Sequence, residues 1–195
     1  GLDLPYPYIP QIFRMLGRGC SSTAWCMGFL AYNNLQFGHF SLRAQDEVWG
    51  KNAYAMPPGQ VIPSGKATKV EGGYRLSGRW GYATGINHAD WMLVSSATDM
   101  GDGEKTMRRF FVEVEQFKKL DTWQVVGMGA TGSHDVELEE AFVPDHRSIL
   151  VSDLREMKAE GLQYNEGPAW RLPLVSVMVM ACVGPFIGAA EALVD

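Results

Sequence analysis

"VVGMGATGSHDVELEEAFVP", Val125 to Pro144, is the stretch whose reading decides the fold. Its first half carries G-x-G-x-x-G at Gly127, Gly129 and Gly132, the spacing of the turn that cradles a dinucleotide pyrophosphate. Such a turn works between a strand and a helix, because the helix N-terminus supplies the N–H groups that hold the phosphates. Trp123–Val126 can serve as the strand. The residues after Gly132 cannot serve as the helix: Val136 and Leu138 alternate with Asp135, Glu137 and Glu139, a period of two, and Pro144 closes the run. The stretch therefore reads as a glycine-rich connection into a β-strand. Its glycines supply shape, through positive φ, and make no phosphate site.

Two other patterns in the same stretch fail for related reasons. Ser133-His134-Asp135 holds the residue types of a catalytic triad, but neighbouring strand residues point to opposite faces and a triad must converge. They read as a polar loop end. The acidic run Glu137–Glu140 alternates outward on one strand and does not flank a cleft as paired glycosidase carboxylates must. It reads as a solvated strand face.

Upstream, short segments punctuated by turns continue the β pattern: "GKATKV", a turn at Gly72-Gly73, "YRLSGRW", "DWMLVSSA" and "MRRFFVEVE". Residues 53–147 give roughly seven strands at short spacing, a sandwich or barrel. In "RWGYATG", Trp80 and Tyr82 are read on one strand face beside the small Ala83, Thr84 and Gly85, where backbone and a hydroxyl can approach a flat ligand. Residues before 52 read as helical. Ser21, Ser22 and Thr23 are N-cap candidates for "AWCMGFLAYNNLQF", and Ser41 caps "LRAQDEVW", which Gly50 ends. After a polar loop near 151–168, Leu172–Ala190 carries no charge. Its length would span a bilayer, but Pro173, Gly184, Pro185 and Gly188 interrupt it and no basic cluster flanks it, so it reads as a buried helix. Helices, then a β unit, then helix, make an α+β chain in three parts: 1–52, 53–150 and 151–195. Gly1 replaces the usual Met, and "GAAEALVD" stops within a helical pattern, as expected of a piece of a longer chain.

Composition narrows the function. The 195 residues are 46% hydrophobic and 20% charged, with a net charge of −5, which disfavours a nucleic-acid surface. The basic pairs Arg108-Arg109 and Lys118-Lys119 sit beside acidic residues and read as solvated strand or turn ends. Three cysteines without C-x-x-C, and four histidines without ligand spacing, point to no metal site and to reduced thiols in the cytoplasm.

"GGYRLSGRWGYATGINHADWMLVSSA" resembles the central β-domain of the acyl-CoA dehydrogenase fold, and "GMGATGSHDVELEEAFVPDHR" its later strands. "SSTAWCMGFLAYNNLQFGHFSLRAQDEVWG" resembles the preceding helices. Within that fold the chain is most similar to oxygenase components of two-component flavin-dependent monooxygenases, such as 4-hydroxyphenylacetate 3-hydroxylase and related hydroxylases. The resemblance covers nearly all of 20–195 and implies the start of a C-terminal helical bundle at the chain's end. It implies reduced flavin (FMN or FAD), O₂, a small aromatic substrate, a separate NAD(P)H-dependent flavin reductase and a homotetramer. It places Trp25, Met56, Tyr82, Ala83 and Thr84 against the flavin, with Thr84 near ring atom N5 as donor or acceptor and Thr84 and Asn33 as catalytic positions. Trp25, Asn33 and Arg171 fall toward substrate, with Arg171 opening the last helix. Asn33 stands where these monooxygenases often carry a histidine; an amide can hydrogen-bond but cannot serve as a base near neutral pH. An acyl-CoA dehydrogenase and a non-catalytic protein of the same fold are the alternatives.

Overall fold

The computed structural model describes residues 7–194; residues 1–6 and Asp195, at the two ends, lie outside them. Among the described residues, five α-helices and seven strands follow one another in the expected α+β order. Helices α1 (Tyr8–Gly19), α2 (Ser21–Phe37) and α3 (Leu42–Trp49) come first. Then come β1 (Gly65–Val70), β2 (Gly73–Trp80), β3 (Trp91–Asp99), β4 (Lys105–Glu113), β5 (Lys118–Leu120), β6 (Asp135–Pro144) and β7 (Ser148–Leu150). A short α4 (Val151–Arg155) and the long α5 (Leu174–Glu191) complete the chain.

The strands form one sheet in the order β5-β6-β2-β1-β3-β4-β7. β1 and β3 pair in parallel, and the remaining neighbours pair antiparallel. The sheet curls strongly enough for Tyr74 of β2 to meet Phe110 of β4 at 5.2 Å, although other strands lie between them. Its inner face is filled by Leu76, Trp80, Met92, Val94, Phe110, Val112, Val136 and Leu138. The period of two read at Val136 and Leu138 is thus the inward half of β6. Trp80 is fully buried, and its one polar side-chain atom, Nε1–H, donates to the Ser95 carbonyl at 3.0 Å.

The outer face of β3 and β4 carries the helices. Phe111 is the hub, with ring contacts to Phe37 at 5.4 Å, Phe40 at 5.2 Å and Trp91 at 5.3 Å. Ser41 caps α3 as expected, its Oγ accepting from the Ala44 N–H at 3.3 Å. The other expected caps do not form: α2 begins at Ser21 itself, after Cys20 in extended backbone, so Ser21–Thr23 lie inside its first turn. At Gly28, α2 crosses α5 so closely that a Cβ there would stand 2.7 Å from the Ala181 carbonyl oxygen.

The structure corrects three expectations. Trp123–Val126 is not a strand; β5 ends at Leu120, and residues 121–128 are loop. Arg109 is no solvated strand end; it lies mid-strand in β4, 4% exposed, on the face turned to the helices. Two adjacent arginines have the look of surface, and only the fold separates their faces. Finally, α5 is not buried all round. It packs one side on α1 and α2 and exposes Val175, Val179, Val183 and Phe186 on the other. It is long and apolar enough to cross a membrane by length and composition, with 28% of it buried.

Candidate active site

A cavity of about 400 Å³ opens where the end of β2, the 121–134 connection, α2 and α5 meet. Its making begins at Trp80. The strand stops there, and Tyr82 takes a left-handed backbone, φ 59°. That conformation is costly for an aromatic residue and must be held from outside. Gln60 holds it by donating from Nε2 to the Tyr82 carbonyl at 2.7 Å. The Ala83 N–H donates to the His134 carbonyl and the Gly85 N–H to the Thr131 carbonyl, both at 2.9 Å. The reversal separates Trp80 from Tyr82, which strand alternation alone would put on one face. Trp80 enters the core, and Tyr82 swings out, 70% exposed, as a ledge at the cavity mouth. Trp123 stands edge-on to it, with centroids 6.0 Å apart, pinned by Nε1–H donating to the Met128 carbonyl.

Behind the ledge runs a chain of hydroxyls whose direction can be derived. Thr131 Oγ1 lies 2.9 Å from the Met128 carbonyl oxygen, which can only accept, so Thr131 donates its single hydrogen there. Ser133 Oγ, 2.8 Å from Thr131 Oγ1, must then donate to Thr131. Thr84 Oγ1, 3.0 Å from Ser133 Oγ, must donate to Ser133. Thr84 therefore faces the cavity with lone pairs and no free hydrogen.

The opposite wall is helical. Trp25 lies 4.6 Å from Phe29 and 5.2 Å from Phe186 of α5, giving an aromatic lining. Asn33 is 2% exposed; its Oδ1 accepts from Gln36 Nε2 at 2.8 Å, while its Nδ2 has no partner and the residue borders the cavity. Gly59 makes room for it, since a Cβ there would come within 2.6 Å of Asn33 Oδ1. Burial pushes the Tyr32 phenol up, against the opposing pull of Arg109, so this cavity residue stays neutral.

Of the residues marked from sequence, Trp25, Asn33, Tyr82 and Thr84 share this cavity. Ala83 is adjacent in sequence but its side chain is fully buried in the sheet core, which leaves only backbone for a ligand. Met56 lies in the loop before β1 and does not line the cavity. Arg171 is exposed at the end of a separate helical turn, Pro168–Arg171, and does not open α5, whose first residue is Leu174. Met128, Thr131 and Ser133 escape the sequence reading. The glycine connection, taken there as shape alone, delivers these side chains to the cavity. Of its glycines only Gly132 has positive φ, 52°; the other left-handed residue is Met128, φ 63°. A signal exists in the small hydroxyl residues at 131 and 133, but nothing local ties them to Thr84. His134 and Asp135 diverge from Ser133, with Asp135 paired to Arg79 at 2.7 Å, so no triad forms.

Comparison with known proteins places this geometry. No protein-family model matches the chain. It is 29% identical to the oxygenase subunit HsaA of a flavin-dependent monooxygenase from Rhodococcus jostii (strain RHA1), over 93% of this chain and 48% of the relative. It is 32% identical to the oxygenase component of an FADH(2)-dependent resorcinol hydroxylase from Rhizobium sp. (strain MTP-10005), over 92% and 46%. Among solved structures it is similar to XiaF from Streptomyces sp. in complex with FADH2 and glycerol, with a TM-score of 0.86 at 31% identity, covering 98% of this chain and 48% of that one. The chain thus spans about half the length of the relatives it matches. Those relatives are oxygenase components of flavin-dependent monooxygenases, and the fold is that of the acyl-CoA dehydrogenase-like monooxygenases.

Proposed function

We propose that this chain forms part of the oxygenase component of a two-component monooxygenase that uses reduced flavin and O₂ to hydroxylate an aromatic substrate. The observation that carries the reading is the polarity of the Met128–Thr131–Ser133–Thr84 chain. An acceptor at Thr84 suits the N5–H of a reduced flavin and would leave the bare N5 of an oxidised flavin facing lone pairs. The lining fits a planar heteroaromatic ring: Tyr82 and Trp123 offer flat apolar surface beside one polar point. When bound, reduced flavin would supply the electrons that activate O₂ for transfer of one oxygen atom.

The chain's own residues have separable tasks. Tyr82 and Trp123 form the ledge for the ring. Thr84 Oγ1 would accept a hydrogen bond from a bound reduced flavin and so disfavour loss of that hydrogen. Trp25, Phe29 and Phe186 exclude water from the reacting face. Asn33 donates from Nδ2 to a substrate oxygen and orients the ring, without removing its proton.

Relatives named as oxygenase subunits or components support a separate flavin reductase drawing on NAD(P)H. The three free cysteines support a cytoplasmic setting, and the exposed apolar side of α5 supports burial in a homotetramer. The FADH2-dependent relative and the FADH2-bound neighbour favour FAD over FMN. The test uses the full-length protein, reduced FAD or FMN, isotopically labelled O₂ and a panel of phenols. Tighter binding of reduced than oxidised flavin and label in a hydroxylated product are expected. Failure to bind reduced flavin, or bleaching of bound FAD by an acyl-CoA, would overturn the reading.

A further inference from the structure

A second, larger cavity of about 870 Å³ adjoins the first, and Tyr32, Val61 and Met178 border both. Its distinguishing feature is Arg109. This side chain is 4% exposed and lines the cavity, yet among the described residues no carboxylate pairs with it. Its partners are neutral: Gln36 Oε1 accepts from Nη1, the Gln60 carbonyl accepts from Nη2 at 3.2 Å, and Nε has no partner. Tyr32, also against the guanidinium, is neutral for the reason given above. Glu104 and Arg155 also border the cavity, but both are exposed and opposite in sign, so solvent and each other offset their charges.

An uncompensated buried cation is among the most destabilising groups a protein keeps. Burying a guanidinium beside a cavity, with no carboxylate supplied by the fold, makes physical sense when the counter-charge arrives with a ligand. We infer that the second cavity is a subsite for the anionic tail of an extended substrate, a carboxylate, with Arg109 as counter-charge. The aromatic end then lies in the first cavity, and the tail passes between Tyr32, Val61 and Met178. This rests on the proposed hydroxylase reading for the aromatic end, but not for the charge. It also relocates the substrate-facing cation from Arg171, which borders neither cavity, to Arg109.

The test is equilibrium binding to the full-length protein, followed by tryptophan fluorescence, of (hydroxyphenyl)alkanoates of increasing chain length and of their primary amides. A charge-assisted contact should favour each long carboxylate over its amide by about tenfold or more. The preference should be small for the shortest tail, vanish in Arg109→Met and survive in Arg109→Lys. Equal binding of carboxylate and amide, or a preference retained in Arg109→Met, would overturn the subsite. So would a preference as large for the shortest tail as for the longest. Should Arg109→Met not fold, the chain-length series on the wild type still decides. Because the readout needs no flavin, loss of flavin binding with the carboxylate preference intact would sink the hydroxylase reading alone. The reverse result would sink the subsite alone.

Discussion

The two faces of the sheet are built on opposite terms. The inner face is closed and apolar across its middle, where Trp80 Nε1 is bonded to the Ser95 carbonyl, and its unpartnered hydroxyls, Thr98 and Thr106, stand only toward the strand ends. The outer face, where helices meet strands, buries Asn33, Gln36, Gln45 and Arg109 and leaves Asn33 Nδ2 and Arg109 Nε without partners. Unsatisfied buried groups lower stability, so the inner face carries the fold while the outer face gives up stability to keep groups free for ligands. The difference teaches where to look for chemistry in such a chain: where burial and satisfaction part company.

The comparison can be broken most directly at Trp80. Trp80→Ala should cost about 3–5 kcal/mol, as cavity-forming changes in tight cores do, read as a lower denaturation midpoint. A small cost would show that the inner face is not the stabilising one. Gln36→Ala comes next. It removes an acceptor from Arg109 and a donor to Asn33 Oδ1, and should cost about 1–3 kcal/mol. A neutral result would mean that water already serves this face.

Ser133→Ala sharpens the functional side. Without Ser133, Thr84 can turn its hydrogen toward the cavity, and the preference for reduced over oxidised flavin should fall by about tenfold, the worth of one hydrogen bond. Unchanged flavin titrations would discard the derived polarity. The smallest effect is expected outside both faces, at Glu47. Burial alone would raise its carboxyl, but hydrogen bonds from Arg147 and His146, both 2.7 Å, hold it below the usual range. Its folded value thus lies below its unfolded value of about 4.3. The stabilisation is complete above that pH and is lost as pH falls through the folded value. Glu47→Gln should remove about 1 kcal/mol or less at neutral pH and flatten the acid limb of a stability–pH curve.

Legibility in the sequence tracks the range of the interaction. Ser41 capping α3 and the alternation at Val136 and Leu138 are local, and both are readable. The hairpin at Gly72, φ 73°, is readable because few residues other than glycine adopt that turn. Trp25, Asn33, Tyr82 and Thr84 are reached through resemblance, and the structure brings them to one cavity. The illegible part is long-range. Tyr82 parts from Trp80 because Gln60 holds its carbonyl, and Ser133 matters because Thr84 lies 3.0 Å away across 49 positions. Arg109 misleads a local reading because its neutral partners, Gln36 and Gln60, come from far up the chain.

The strand order has a consequence for how the molecule comes to be. β1 lies between β2 and β3, yet β2 and β3 are joined directly by residues 81–90, so the segment bearing Tyr82 and Thr84 bridges past β1. A parallel pair reached over such a bridge requires non-local closure, the slow kind of contact in folding. The ledge and its acceptor therefore take shape only once β1 and β3 are in register. A nascent chain that has completed the β1–β2 hairpin holds residues of the cavity without yet holding the cavity.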